Sequence, residues 1–176
     1  MRRDEPLGGL ARQQWGVFSA EQAFEHGCSR WLVQRRVNSG DWVEVERGVY
    51  RFRGCPDSWR ARVRAGTLSL GAPASASHAT AAILWGLEGV DRPSITQLHF
   101  STLRECNRTL WNGVVHRPLI ESGKPSWRDR IPTTSLAQTL ICLASVSSDE
   151  ALELALDSAV RKFPAVRGWL ARELPR

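Results

Sequence analysis

Apolar positions recur along the chain in short blocks, and the period of each block assigns its element. Residues 7–14 carry a weak helical pattern that ends near Trp15-Gly16. Ser19, with Gln22 three positions later, fits a capping box that opens a short helix through His26, and Gly27 stops it. Ser29 caps the next helix over residues 30–39, which ends at Gly40. Two capped helices around Gly27-Cys28 predict a helix-turn-helix. Residues 41–46 and 49–53 then alternate with period two around Arg47-Gly48 and predict a β-hairpin, with Gly48 supplying positive φ in the turn. Three short helices followed by a hairpin is the winged-helix order.

Beyond the hairpin, Gly54-Cys55-Pro56 breaks the strand and Asp57 or Ser58 caps a helix to about Leu70, closed by Gly71-Ala72-Pro73. The alanine-rich residues 74–86 predict a further helix, and residues 95–101 and 113–117 a pair of strands. Leu136, Leu140 and Leu143 then share one helix, and Leu152, Leu156 and Val160 the next, capped by Ser148. Pro164 opens a last helix to Leu174. The expected class is α+β: an N-terminal winged helix-turn-helix over residues 1–54, then a mainly helical domain with a short β-sheet over residues 55–176.

Length and composition leave room for a true core, since 42% of 176 residues are hydrophobic, and exclude wholesale disorder. No apolar run approaches the roughly 18–20 residues of a membrane span, and the start lacks a secretory signal's apolar stretch, so a cytoplasmic protein is expected. The four cysteines, Cys28, Cys55, Cys106 and Cys142, form no CxxC pair, and no two histidines have metal-ligand spacing along the chain. Free thiols, no metal and no cofactor are therefore expected.

Charge changes the picture more. The formal net charge is +6, and 22 of the 24 cations are Arg, which suits bidentate phosphate recognition and also follows from GC-rich coding. Residues 28–64 hold nine Arg against four acids, a balance of +5. A local basic patch is the footprint of a phosphate-backbone partner, or else a solvated arginine-rich face.

On a helical wheel Val33 and Val37 face one way, with Trp31, Leu32, Arg35 and Asn38 broadly opposite. The second face carries an arginine for guanine or phosphate, an amide for adenine and apolar groups for thymine methyls. The leading residues of a recognition helix reach the bases, which adds Ser29, Arg30 and Trp31, and Gln34 lies on the same helix. Arg36, at the flank, suits a phosphate. In the hairpin Arg47 sits at the tip and Arg51 and Arg53 share a face, although Glu44 and Glu46 on the neighbouring strand would repel phosphate unless paired. The expected DNA-binding residues are thus Ser29, Arg30, Trp31, Gln34, Arg35, Arg36, Asn38, Arg47 and Arg51.

Gly16-Val17-Phe18, Gly27-Cys28-Ser29-Arg30, Arg35-Arg36-Val37, Gly40, Trp42-Val43 and Arg47-Gly48-Val49-Tyr50 resemble the N-terminal winged helix of AbiEi-type antitoxins. Ser77-His78-Ala79-Thr80-Ala81-Ala82, Trp85-Gly86-Leu87, Val115-His116-Arg117, Ile131-Pro132-Thr133-Thr134 and Ala137-Gln138-Thr139-Leu140 are similar to the second part of the same proteins. The resemblance implies a type IV, abortive-infection antitoxin. Its winged helix would bind inverted repeats in double-stranded DNA of its own promoter, and its second domain would oppose a nucleotidyltransferase-like toxin without requiring a stable complex. The nuclease-like third domain of many relatives is expected to be absent, because the chain stops at Pro175-Arg176.

No catalytic residues are expected. Ser77 lacks a G-x-S-x-G elbow and reads as an N-cap, with His78 bonding a neighbouring carbonyl. Lys124 and Lys162 follow no carboxylate cluster of the kind a nuclease needs, and Cys106 or Cys142 has no supporting frame for a thiol site. The alternative function is a protein-interaction module that neutralises a partner without binding DNA, using Trp127, Trp169 and the later leucine helices, which at helical spacing also fit a core.

Overall fold

The computed structural model describes residues 5–92, 97–103, 109–117 and 125–173. The start of the strand expected from residue 95, Cys106, Lys124 and Leu174 lie outside the described residues.

The N-terminal part is built from α1 (Glu5–Gln13), β1 (Val17–Ser19), α2 (Ala20–Glu25), α3 (Arg30–Asn38) and the hairpin β2 (Trp42–Glu46) and β3 (Val49–Phe52). Ser19 and Gln22 form the expected capping box on α2, and Ser29 Oγ accepts the Leu32 N–H at the start of α3. The short β1, absent from the sequence expectation, pairs antiparallel with β3, so the wing is a three-stranded sheet of order β1-β3-β2. Gly48 takes φ +71 in the turn. One face of this sheet packs Phe18, Trp42, Tyr50 and Phe52 against Leu7, Ala11, Ala23 and Val33 of the helices. Phe18 meets Trp42 edge-on at 4.8 Å between centroids.

The opposite face of the same sheet is also buried. Val17, Val45 and Val49 pack against Ala61, Ala65 and Leu68 of α4 (Trp59–Leu70), which is capped by Ser58 and follows the hairpin. The other side of α4 presents Val63 and Leu70 to a second core with Leu98, Phe100 and Ile131. One helix thus serves two cores.

The second part continues with β4 (Ser75–Ala76), α5 (His78–Trp85), β5 (Leu98–Ser101), β6 (Gly113–His116), β7 (Ser126–Arg128), β8 (Ile131–Thr133), α6 (Leu136–Leu143), α7 (Asp149–Lys162) and α8 (Val166–Glu173). The helix expected over residues 74–86 is corrected at its start, because Ser75 and Ala76 pair with β5 and β8 and the helix begins only at His78. The expected pair of strands does form, β5 with β6 in parallel register, but within a five-stranded mixed sheet of order β6-β5-β4-β8-β7. Leu136, Leu140 and Leu143 pack with Trp85, Ala155, Ala159 and Val166 in a helical core beyond it. Cys28, Cys55 and Cys142 are free thiols. Among the described residues, no helix is long and apolar enough to cross a membrane.

Candidate nucleic-acid interface

Helix α3 is amphipathic in the manner its sequence predicts, with one exception. Val33 is buried and Val37 half-buried against the aromatic cluster of the wing. Leu32, expected on the outer face, is half-buried and also packs into that cluster. The outer face is left to Trp31, Gln34, Arg35 and Asn38. Trp31 is 68% exposed. The Arg35 guanidinium lies 5.3 Å from its ring centroid, in cation–π range. One turn on, Gln34 Nε2 donates to Asn38 Oδ1 at 2.8 Å, which orients both amides and leaves the Gln34 carbonyl oxygen and an Asn38 N–H for a partner. These side chains, with Ser39, line a shallow groove along the helix. Ser29 and Arg30 are exposed at its leading end.

Arg36 sits at the flank, where Nη1 donates to Asp41 Oδ2 at 2.9 Å. That bond, with a second from Ser39, holds the Asp41 carboxyl below its usual range. Arg47 is exposed at the wing tip. Arg51 departs from the expectation: its guanidinium turns inward to the Cys55 carbonyl and stands 4.0 Å from Asp57, so it braces the turn after the wing. Arg53 lies beyond the end of β3 and shares no strand face with it.

The two wing carboxylates, expected to repel phosphate unless paired with arginines, are occupied by backbone N–H groups. Glu44 accepts the Gly48 N–H at 2.9 Å. Glu46, 2% exposed, accepts the N–H of Arg47 at 3.2 Å and of Trp111 at 3.0 Å. A register shift between Glu44 and Glu46 turns Glu46 inward beside Val45.

Residues 10–53 match the family of AbiEi antitoxin transcriptional regulators. The match begins in α1 and ends one residue past β3, so it takes in the helix-turn-helix and the wing with every residue described above except Cys55, Asp57 and Trp111. No curated protein matches the chain. The family match thus covers α3 and the wing and does not extend to the second part.

In that second part the fold assembles a group that sequence spacing did not reveal. His78, His99 and His116 come from α5, β5 and β6, and one ligating atom of each lies within 4.8 Å of the others. His99 Nδ1 and His116 Nε2 are 2.9 Å apart, and the His78 and His116 rings stack at 3.9 Å. Burial pushes His78 down to about 4, helped by His116 and His99, and burial also lowers the other two. Ser77, expected to cap the helix, makes no capping bond; its Oγ meets His78 Nδ1 at 2.9 Å instead of leaving that ring to a carbonyl. Trp127 and Trp169 are exposed rather than part of the leucine core.

Proposed function

We propose that this chain is a DNA-binding antitoxin that represses its own operon, with α3 entering the major groove and the wing following the backbone. On this reading Ser29, Arg30 and Trp31 lead the helix into the groove, while Gln34, Arg35 and Asn38 meet base edges one and two turns on. Arg36 and Arg47 contact phosphate, and Arg51 acts from behind by bracing the turn. The part after residue 54 opposes a nucleotidyltransferase-like toxin, with no stable complex required.

The observation that supports this reading is the outer face of α3 within the segment matched to AbiEi antitoxin regulators. On the face opposite the buried Val33, Trp31 stands in solvent beside Arg35 and two pre-oriented amides. Stacking, guanidinium and amide groups in one stripe match the edges of base pairs rather than an apolar protein surface.

The test is fluorescence anisotropy of the full chain on a duplex taken from upstream of its own reading frame and on a scrambled duplex. With four to six phosphate contacts, the log–log salt slope should be about −4 to −5 per chain. Arg35→Ala should weaken the upstream duplex by about tenfold or more and the scrambled one far less. Ser29→Asp keeps a capping oxygen, so the helix should hold, but it sets a carboxylate against phosphate and should weaken both duplexes. No salt-dependent binding to either duplex would overturn the DNA reading, and equal affinity for both, unchanged by Arg35→Ala, would overturn base reading by α3. Growth rescue on co-expression with the toxin encoded beside it tests the second part.

A further inference from the structure

We propose that His78, His99 and His116 form a binding site for a divalent transition-metal ion of the zinc class, with a fourth coordination position open to solvent. The inference is independent of the DNA reading, because all three residues lie outside the winged helix.

The donor set is three imidazoles and no carboxylate, which selects ions such as zinc, cobalt, nickel and copper over magnesium or calcium. A tetrahedral ion with metal–nitrogen bonds of about 2.0–2.1 Å holds its ligand nitrogens about 3.3 Å apart. The His99–His116 pair, at 2.9 Å, is within a few tenths of an ångström of that spacing. The widest separation in the group is at most 4.8 Å, so side-chain rotation of about 1.5 Å completes the convergence. Two neutral ring nitrogens that meet at hydrogen-bond distance share one proton. When an ion enters, the donor ring moves that proton to its other nitrogen, and both lone pairs face the metal with no net proton released. His78 Nδ1 is held by Ser77 Oγ, which leaves Nε2 as its ligand atom and supplies the outer hydrogen bond that ligating histidines carry.

The backbone is arranged around the group. In the parallel register of β5 and β6, His99 stands opposite Val114 and His116 opposite Ser101, so the two rings emerge from one face. His78 takes φ +48, a left-handed conformation that is uncommon for a side-chain-bearing residue. It is kept there because the Ser77 N–H donates to the His99 carbonyl at 3.0 Å and Thr80 Oγ1 accepts the His99 N–H at 2.8 Å, lacing the start of α5 to β5. His78 is buried, whereas His99 and His116 are half-buried, which gives an ion and a fourth ligand an open side.

The experiment uses the full chain, stripped with EDTA and titrated with zinc chloride in competition with a chromophoric chelator. One ion per chain at micromolar affinity or tighter is expected. His99→Gln and His116→Gln should each lower that affinity by about tenfold or more, while His26→Gln, outside the group, should leave it unchanged. No saturable binding, or binding that survives both cluster variants, overturns the site. If a variant loses its circular dichroism, cobalt(II) on the wild-type chain decides. A d–d spectrum from nitrogen ligands without thiolate charge transfer supports the site, and thiolate charge transfer or no visible band overturns it.

Discussion

His78 shows how much a single buried ring can tie stability to pH. Its pKa is pushed down to about 4 by burial and by the neighbouring His116 and His99, against an ordinary value of about 6.5 in the unfolded chain. Between those values the unfolded chain binds the proton and the folded one does not. Stability from this residue is therefore complete above about pH 6.5 and lost as the pH falls toward 4, by on the order of 3 kcal/mol for a full traverse. His99 and His116, lowered in the same direction, add to the same slope. Urea midpoints of the wild-type chain should fall between about pH 7 and pH 4.5, and those of His78→Gln should fall less; parallel profiles would show that the ring is not protected. The Asp41 and Glu88 carboxyls, held low first by bonds from Arg36 and Arg161, are lost in more acid solution and leave this window to the histidines.

At the scale of elements, Gly66 marks a close approach of α4 to β5. Replacing glycine by alanine inside a helix is worth up to about 1 kcal/mol in propensity. Here a Cβ would stand 2.3 Å from Phe100 Cζ, and Phe100 is fully buried and cannot swing aside. Overpacking costs about 1–3 kcal/mol, so the clash wins: Gly66→Ala should lower stability by about 1–2 kcal/mol, read as a shift in urea midpoint, and a stabilised variant would refute the packing. What was legible in the chain at this scale had local causes. Ser19 with Gln22, Ser29, Ser58 and Ser148 announce helices because a cap is a bond between near neighbours. Ser75–Ala76 and Ile131–Thr133 were invisible as strands because two or three residues show no period, and their identity rests on partners far along the chain. Val45 and Glu46 are adjacent and both buried, which strict alternation forbids and a register shift allows. The outer face of α3 follows its helical wheel apart from Leu32, and the inward turn of Arg51 is not legible in the sequence because its partner, the Cys55 carbonyl, belongs to a turn whose path no side-chain pattern fixes. The three histidines, 21 and 17 residues apart, meet only once β5 and β6 are paired.

At the scale of the whole molecule, we propose that the division of labour falls at residue 54 while the division of folding does not. Ala61 and Ala65 close the core of the wing, and Val63 and Leu70 on the same helix close the core of the second sheet. Glu46 takes the Trp111 N–H, Trp15 Nε1 donates to the Asp129 carbonyl, and Arg60 lies over Trp15 while bonding Asp129 at 2.6 Å. Removing either part would strip apolar cover from α4, and removing the second would also leave the buried Glu46 carboxylate without the Trp111 donor, penalties that act on the part that remains. Heat should therefore unfold the chain in one transition, with tryptophan fluorescence and far-ultraviolet circular dichroism coinciding; two separated transitions would show that α4 does not couple the parts.

The seat of α4 between two sheets also separates continuity of chain from continuity of fold. The exposed Arg53 and Gly54 carry the polypeptide past the edge of the wing, yet the wing is held from across the space by residues that come later in the sequence. Cys55 rests against Gly16, so the segment just past this crossing is itself docked on the first part. A break in the backbone at Gly54 would make two polypeptides and still one particle, held by the α4 packing and by the Glu46–Trp111 and Trp15–Asp129 hydrogen bonds.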